Sequence, residues 1–85
     1  MPELIHEHSH RVQDADGTLY TVRICGEQRE DGTWVAWLEF LPVGQSKGTL
    51  RTGRETSQPN RAAVEYWATG LEPVYLEGAL ERAHR

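Results

Sequence analysis

Two acidic turns ending in glycine, Asp14-Ala15-Asp16-Gly17 and Glu30-Asp31-Gly32, cut the first half of this 85-residue chain into three runs of alternating residues. Asp-Gly supplies the positive-φ position that a tight hairpin needs, so each turn predicts that the runs on either side lie antiparallel. The runs are Glu7 to Gln13, Leu19 to Glu27 and Thr33 to Leu41. In the second, Tyr20, Val22 and Ile24 share one face; in the third, Trp34, Ala36, Leu38 and Phe40 do. Side chains two apart on a strand point the same way, so these two rows predict one half of a core. A short fourth strand, Gly48 to Thr52, follows a loop bounded by Pro42-Val43-Gly44 and Ser46-Lys47-Gly48.

From residue 57 the periodicity changes. Thr56-Ser57-Gln58-Pro59 carries a hydroxyl cap and a first-turn proline, the signature of a helix start. Val64, Trp67, Ala68 and Leu71 then fall on one helical face, and Gly70 is a stop. Pro73 restarts a helix whose stripe is Leu76, Ala79, Leu80 and Ala83. The prediction is a single α+β domain over 1–85, with an antiparallel β-β-β-(β) sheet at about 6–52 and helices at about 57–69 and 73–84 packing on it. Trp34 and Trp67, on the two most coherent apolar faces, are expected to meet across the sheet–helix interface.

Three antiparallel strands followed by a helix are similar in outline to the domain of HicB-type antitoxins. The likeness is one of topology and carries no motif. It implies, as an alternative function, a regulator linked to nucleic acid.

Charge and cysteine content narrow the classes. The net charge is −4, and residues 1–50 hold eight acids against four bases. A protein that coats nucleic acid needs a basic surplus, so the balance points away from that partner. Cys25 is the only cysteine, which rules out an internal disulfide and any Cys-Cys metal motif. The start, Met1-Pro2-Glu3-Leu4-Ile5-His6, has neither a basic region nor an apolar run, and no segment approaches the roughly 20 apolar residues that cross a bilayer. The expected location is cytoplasmic, with no membrane partner.

Three groups of residues carry possible chemistry. His6, His8 and His10 alternate on one strand face, and His-x-His offers two imidazoles to one metal ion. Against that reading, three ligands on one straight strand cannot all reach one ion, and an end strand is where idle histidines sit. Arg51, Arg54 and Arg61 lie around Thr56 and Ser57 at the expected helix mouth, where amides and guanidinium groups suit an anion; a capped helix start explains the same residues. Val35, Trp37 and Leu41 form a second apolar row in the third run, facing away from the core row and lying opposite Arg23. Such a row marks either an interface or a face that the second helix covers.

No nucleophile elbow, dinucleotide fingerprint or phosphate loop is present, and Cys25 in mid-strand reads as an inert thiol. The reading is therefore a small non-enzymatic interaction or regulatory module of bacterial type. It needs no cofactor, and it acts through Arg23, Val35, Trp37 and Leu41 on a protein partner or as a homodimer. A metal-binding protein using the histidine strand is the remaining alternative.

Overall fold

A computed structural model describes residues 1–44 and 47–85. Five strands and two helices follow in order: β1 (Glu3–Gln13), β2 (Leu19–Gln28), β3 (Trp34–Pro42), β4 (Leu50–Arg51), β5 (Thr56–Gln58), α1 (Arg61–Thr69) and α2 (Pro73–Arg82). All pairings are antiparallel. β1, β2 and β3 lie side by side, and β4 and β5 share the far edge of β3. Both helices pack on this sheet, which makes the fold α+β as the alternation and helical spacing predict.

The hairpins form where the Asp-Gly pairs stand, with Gly17 at φ 85° and Gly32 at φ 89°. The first turn is also tied by its own side chain. Asp14 Oδ1 accepts from the amides of Asp16 and Thr18 at 2.9 Å each, and Tyr20 donates its hydroxyl to Oδ2 at 3.1 Å. The loop boundary at Pro42-Val43-Gly44 has Gly44 at φ 66°; Ser46, at the other boundary, lies outside the described residues.

The far edge differs from the sequence expectation in an instructive way. The fourth strand is only Leu50–Arg51, after which the chain detours and rejoins β3 as β5. At the detour the Thr52 amide donates to the Leu38 carbonyl at 2.9 Å, and Glu55 donates to Ala36 at 2.8 Å. In between, the Leu38 amide donates to Thr52 Oγ1 at 3.1 Å. A side-chain hydroxyl thus replaces the carbonyl that a regular ladder would supply, and Thr52 is 1% exposed.

This edge also relocates the first helix. Thr56–Gln58, expected to cap it, is β5 and pairs with Trp34–Ala36. The cap is Asn60, whose Oδ1 accepts from the Ala63 amide at 2.9 Å, so α1 begins after Pro59 rather than before it. Gly70 ends α1 and Pro73 opens α2, as expected. α2 stops at Arg82 instead of running to 84, because His84 leaves the helix and exchanges backbone hydrogen bonds of 2.8 and 2.9 Å with Arg51.

The core lies between the helices and the predicted rows. Tyr20, Val22, Ile24, Ala36, Leu38 and Phe40 meet Val64, Ala68, Leu76 and Ala79, all buried. Val12 and Ile5 add to it from β1. The two tryptophans are not its centre. Trp34 and Trp67 are half-buried at its rim, and the ring packed edge-on against Trp67 is Tyr75, at 6.1 Å and 87°. Val64 and Ala68 face the sheet most squarely, which turns Trp67 to the side of the helix. Glu55, in the detour, accepts from the Tyr75 hydroxyl and from Arg82 Nη2 at 2.7 Å, fastening α2 to the sheet edge.

Candidate functional site: the open face of the sheet

The second face of the sheet receives neither helix. Residues opposite one another in an antiparallel pair share a face, so the register fixes which side chains stand there. Glu7 pairs with Arg23, Arg23 with Glu39, and Glu39 with Arg51. These four make a belt across β1 to β4 whose charge alternates: acid, base, acid, base. Neighbouring strands lie about 4.8 Å apart, so the belt spans about 14 Å from Glu7 to Arg51.

The middle of the belt is closed and its ends are open. Arg23 Nη2 donates to Glu39 Oε1 at 3.3 Å, and the Trp37 indole N–H donates to Glu39 Oε2 at the same distance. The Arg51 guanidinium lies over the Trp37 ring, 5.0 Å from its centre. Among the described residues neither Glu7 nor Arg51 has an ion-pair partner within 4 Å. The buried Arg23 Nε has no hydrogen-bond partner there either. Leaving such a donor unmet costs about 1–3 kcal/mol.

Apolar side chains flank the belt. Leu4 stands opposite Cys25 and is 47% exposed; Val35 and Leu41 are half-buried. A depression of about 260 Å³, lined by Glu7, Ser9, Arg11, Thr21, Arg23 and Leu41 among others, opens where β1 bulges away from β2. The sequence expectation for this face therefore divides. Arg23, Val35, Trp37 and Leu41 do share it, and no helix covers it. Yet Trp37 is only 6% exposed, because Arg51 and Glu39 lie against it. It is the floor of the face, and the charged belt is what a partner meets.

The other candidate groups do not assemble in the same way. β1 shifts register between Leu4 and His6 and again between His8 and Val12, so His6 and His8 alternate on one face, opposite Ile24 and Val22, while His10 falls within the second shift. His8 Nδ1 accepts from the His10 amide at 3.1 Å, which leaves Nε2 to donate to the Leu71 carbonyl at 2.9 Å. Both nitrogens are thereby used, and the His6 ring stands edge-on to His8 at 5.9 Å. Among the described residues no three His, Cys, Asp or Glu side chains gather as a metal site. The expected anion residues are dispersed. Arg51 belongs to the belt, Arg61 bridges Glu3 and Glu65 at 2.7 Å each, and Arg54 is exposed in the detour. Ser57 pairs with Val35 on the open face, while Thr56 Oγ1 accepts from Gln58.

Burial pushes the Cys25 thiol up to about 11, reinforced by the Glu39 charge. Burial, then the hydrogen bond to Glu55, pushes Tyr75 up to about 12. Burial also acts to raise Glu55, but hydrogen bonds from Arg82 and Tyr75 outweigh it and hold the carboxyl below its usual range. Glu55 stays an anion and Tyr75 a neutral donor, which suits a clamp between α2 and the sheet. Among the described residues no helix is long and apolar enough to cross a membrane.

Compared with protein-family models, with curated proteins and with solved structures, the chain matches none of them.

Proposed function

We propose that this chain is a non-enzymatic protein-interaction module whose working surface is the open face of the sheet. The observation that carries the reading is the arrangement of layers: both helices lie on one face, and the other presents Arg51 stacked on Trp37 beside an incompletely bonded Arg23. Arginine over an indole is a frequent centre of protein interfaces, because the flat guanidinium keeps hydrogen-bond donors free while its carbon stem packs. The belt suits a protein surface that also carries both signs of charge. A polyanion such as nucleic acid would gain at Arg23 and Arg51, lose at Glu7 and Glu39, and meet a chain of net charge −4.

Photo-crosslinking tests this directly. A photoactivatable residue replaces Leu41 on the open face in one version and Tyr66 in another; Tyr66 is 84% exposed on the outer side of α1. The expected result is a discrete protein adduct, of one mass, from position 41 and none from 66. Adducts from 66 alone, or crosslinking from 41 only to nucleic acid, would overturn the proposal.

A further inference from the structure

We infer that the partner of the open face is a second copy of this chain, packed face to face about a two-fold axis that runs parallel to the strands. The inference rests on the interaction reading above and adds the identity and orientation of the partner. It follows from the order of charges in the belt. Glu7, Arg23, Glu39 and Arg51 read acid, base, acid, base from β1 to β4. A two-fold axis along the strands reverses that order in the facing copy. Glu7 then stands over the partner's Arg51, Arg23 over the partner's Glu39, and the remaining two pairs repeat by symmetry. Every charge meets its opposite. An axis across the strands would set each residue over itself and oppose four like charges, so the belt selects one of the two face-to-face dimers.

The groups left unmet within one chain are the ones this dimer engages. Among the described residues Glu7 and Arg51, at the ends of the belt, have no ion pair of their own, and the inner Arg23–Glu39 pair is loose at 3.3 Å. Leu4, Val35 and Leu41 flank the belt, so apolar contact accompanies the charge pairs. Strands β1, β2 and β3, with about nine residues each, and the short β4 and β5 end to end along the fourth position give a face of at most about 15 by 30 Å, or about 450 Å² per chain. That lies near the lower bound of about 1,000 Å² in total for a specific interface, which points to a reversible dimer in the micromolar range of dissociation constants. Screening of exposed charges makes it weaker as salt rises.

Sedimentation velocity on the whole chain and on two single variants, Glu7→Arg and Arg51→Glu, tests both the partner and the axis. Glu7→Arg faces Arg23 and Arg51→Glu faces Glu39 within the monomer, so circular dichroism and urea unfolding first establish that each variant is folded. The parent dimerises. Each variant opposes two like-charged pairs in its own dimer and associates at least about tenfold more weakly. Mixed one to one, the variants are complementary at both ends of the belt and recover dimer at the parent's concentration. A parent that stays monomeric at millimolar concentration overturns the inference, and so does a dimer that neither variant weakens. Weakened variants that do not recover on mixing overturn the axis. If Arg51→Glu fails to fold, isotope-filtered NOEs between labelled and unlabelled parent chains decide. Contacts between Glu7 of one copy and Arg51 of the other support the inference, and their absence from a dimer overturns it. A monomeric parent that still crosslinks another protein from position 41 would leave the interaction surface standing while removing this partner.

Discussion

Removing one hydroxyl at Thr52 tests how the far edge of the sheet is built. Thr52 Oγ1 accepts from the Leu38 amide at 3.1 Å and donates to the Gly53 carbonyl at 2.8 Å. Thr52→Val keeps the shape and removes both bonds. Gly53 is exposed, so its carbonyl turns to water at little cost. Leu38 is fully buried and its amide has nowhere to turn. The loss is therefore that of one buried, unsatisfied donor, about 1–3 kcal/mol. In a domain of this size each kcal/mol moves the melting temperature by about 4–8 °C, so a drop of about 4 °C or more is expected. Thr52→Ser keeps the hydroxyl and removes one methyl, worth about 0.8 kcal/mol. The order parent, Ser, Val is what the geometry demands, read by denaturant unfolding with an unchanged slope. Hydrogen exchange at the Leu38 amide should accelerate in the valine variant and not in the serine variant. Thr52→Val at least as stable as Thr52→Ser would refute the claim that the hydroxyl substitutes for a ladder carbonyl.

Trp37→Ala is expected to cost about 3 kcal/mol in urea unfolding, the range of a buried ring, because Arg51 and Glu39 cover it within the chain; a loss below about 1 kcal/mol would mean that the ring is a surface group. Glu55→Gln should flatten the acid side of the stability profile. The folded carboxyl titrates below its unfolded range, so its contribution is complete above the unfolded value and fades as pH falls through the folded one. Unfolding curves from pH 7 to pH 3 that run parallel for parent and variant would contradict that assignment. Cys25, with its thiol pushed up to about 11, should react with iodoacetamide at pH 8 far more slowly in the folded protein than in urea; equal rates would contradict its burial.

Much of the fold was legible in the sequence because local and long-range signals agreed there. The Asp-Gly turns and the rows Tyr20-Val22-Ile24 and Ala36-Leu38-Phe40 specify the same hairpin from two independent directions. At the start of α1 the two kinds of signal disagree. Thr56-Ser57-Gln58-Pro59 has the local chemistry of a cap, but the unpaired edge of β3 recruits those residues as a strand and leaves the capping to Asn60. The detour at Thr52 depends on a single hydroxyl reaching across to Leu38, which no periodicity announces.

The open face was half legible. The direction of the Val35, Trp37 and Leu41 row follows from period two, and Arg23 opposite Glu39 follows from the hairpin. The ends of the belt were hidden for different reasons. Glu7 reaches its place through a β1 register with two shifts, and Arg51 reaches Trp37 only because β4 is two residues long and is pinned on its other side by His84. The histidine alternation holds for His6 and His8, and the shift after His8 takes His10 out of it, while His8 itself is bonded to the Leu71 carbonyl.

The most direct measurement of the central claim is a series of two-dimensional amide and indole spectra recorded as the protein associates, whether on raising its own concentration or on adding the partner that position 41 crosslinks. The account predicts that the Trp37 indole and the amides of Arg23, Glu39 and Arg51 move together along one binding curve, while those of Tyr66 and Val74 on the outer helices stay still. Movement at Tyr66 and Val74 with a silent Trp37 indole would contradict it.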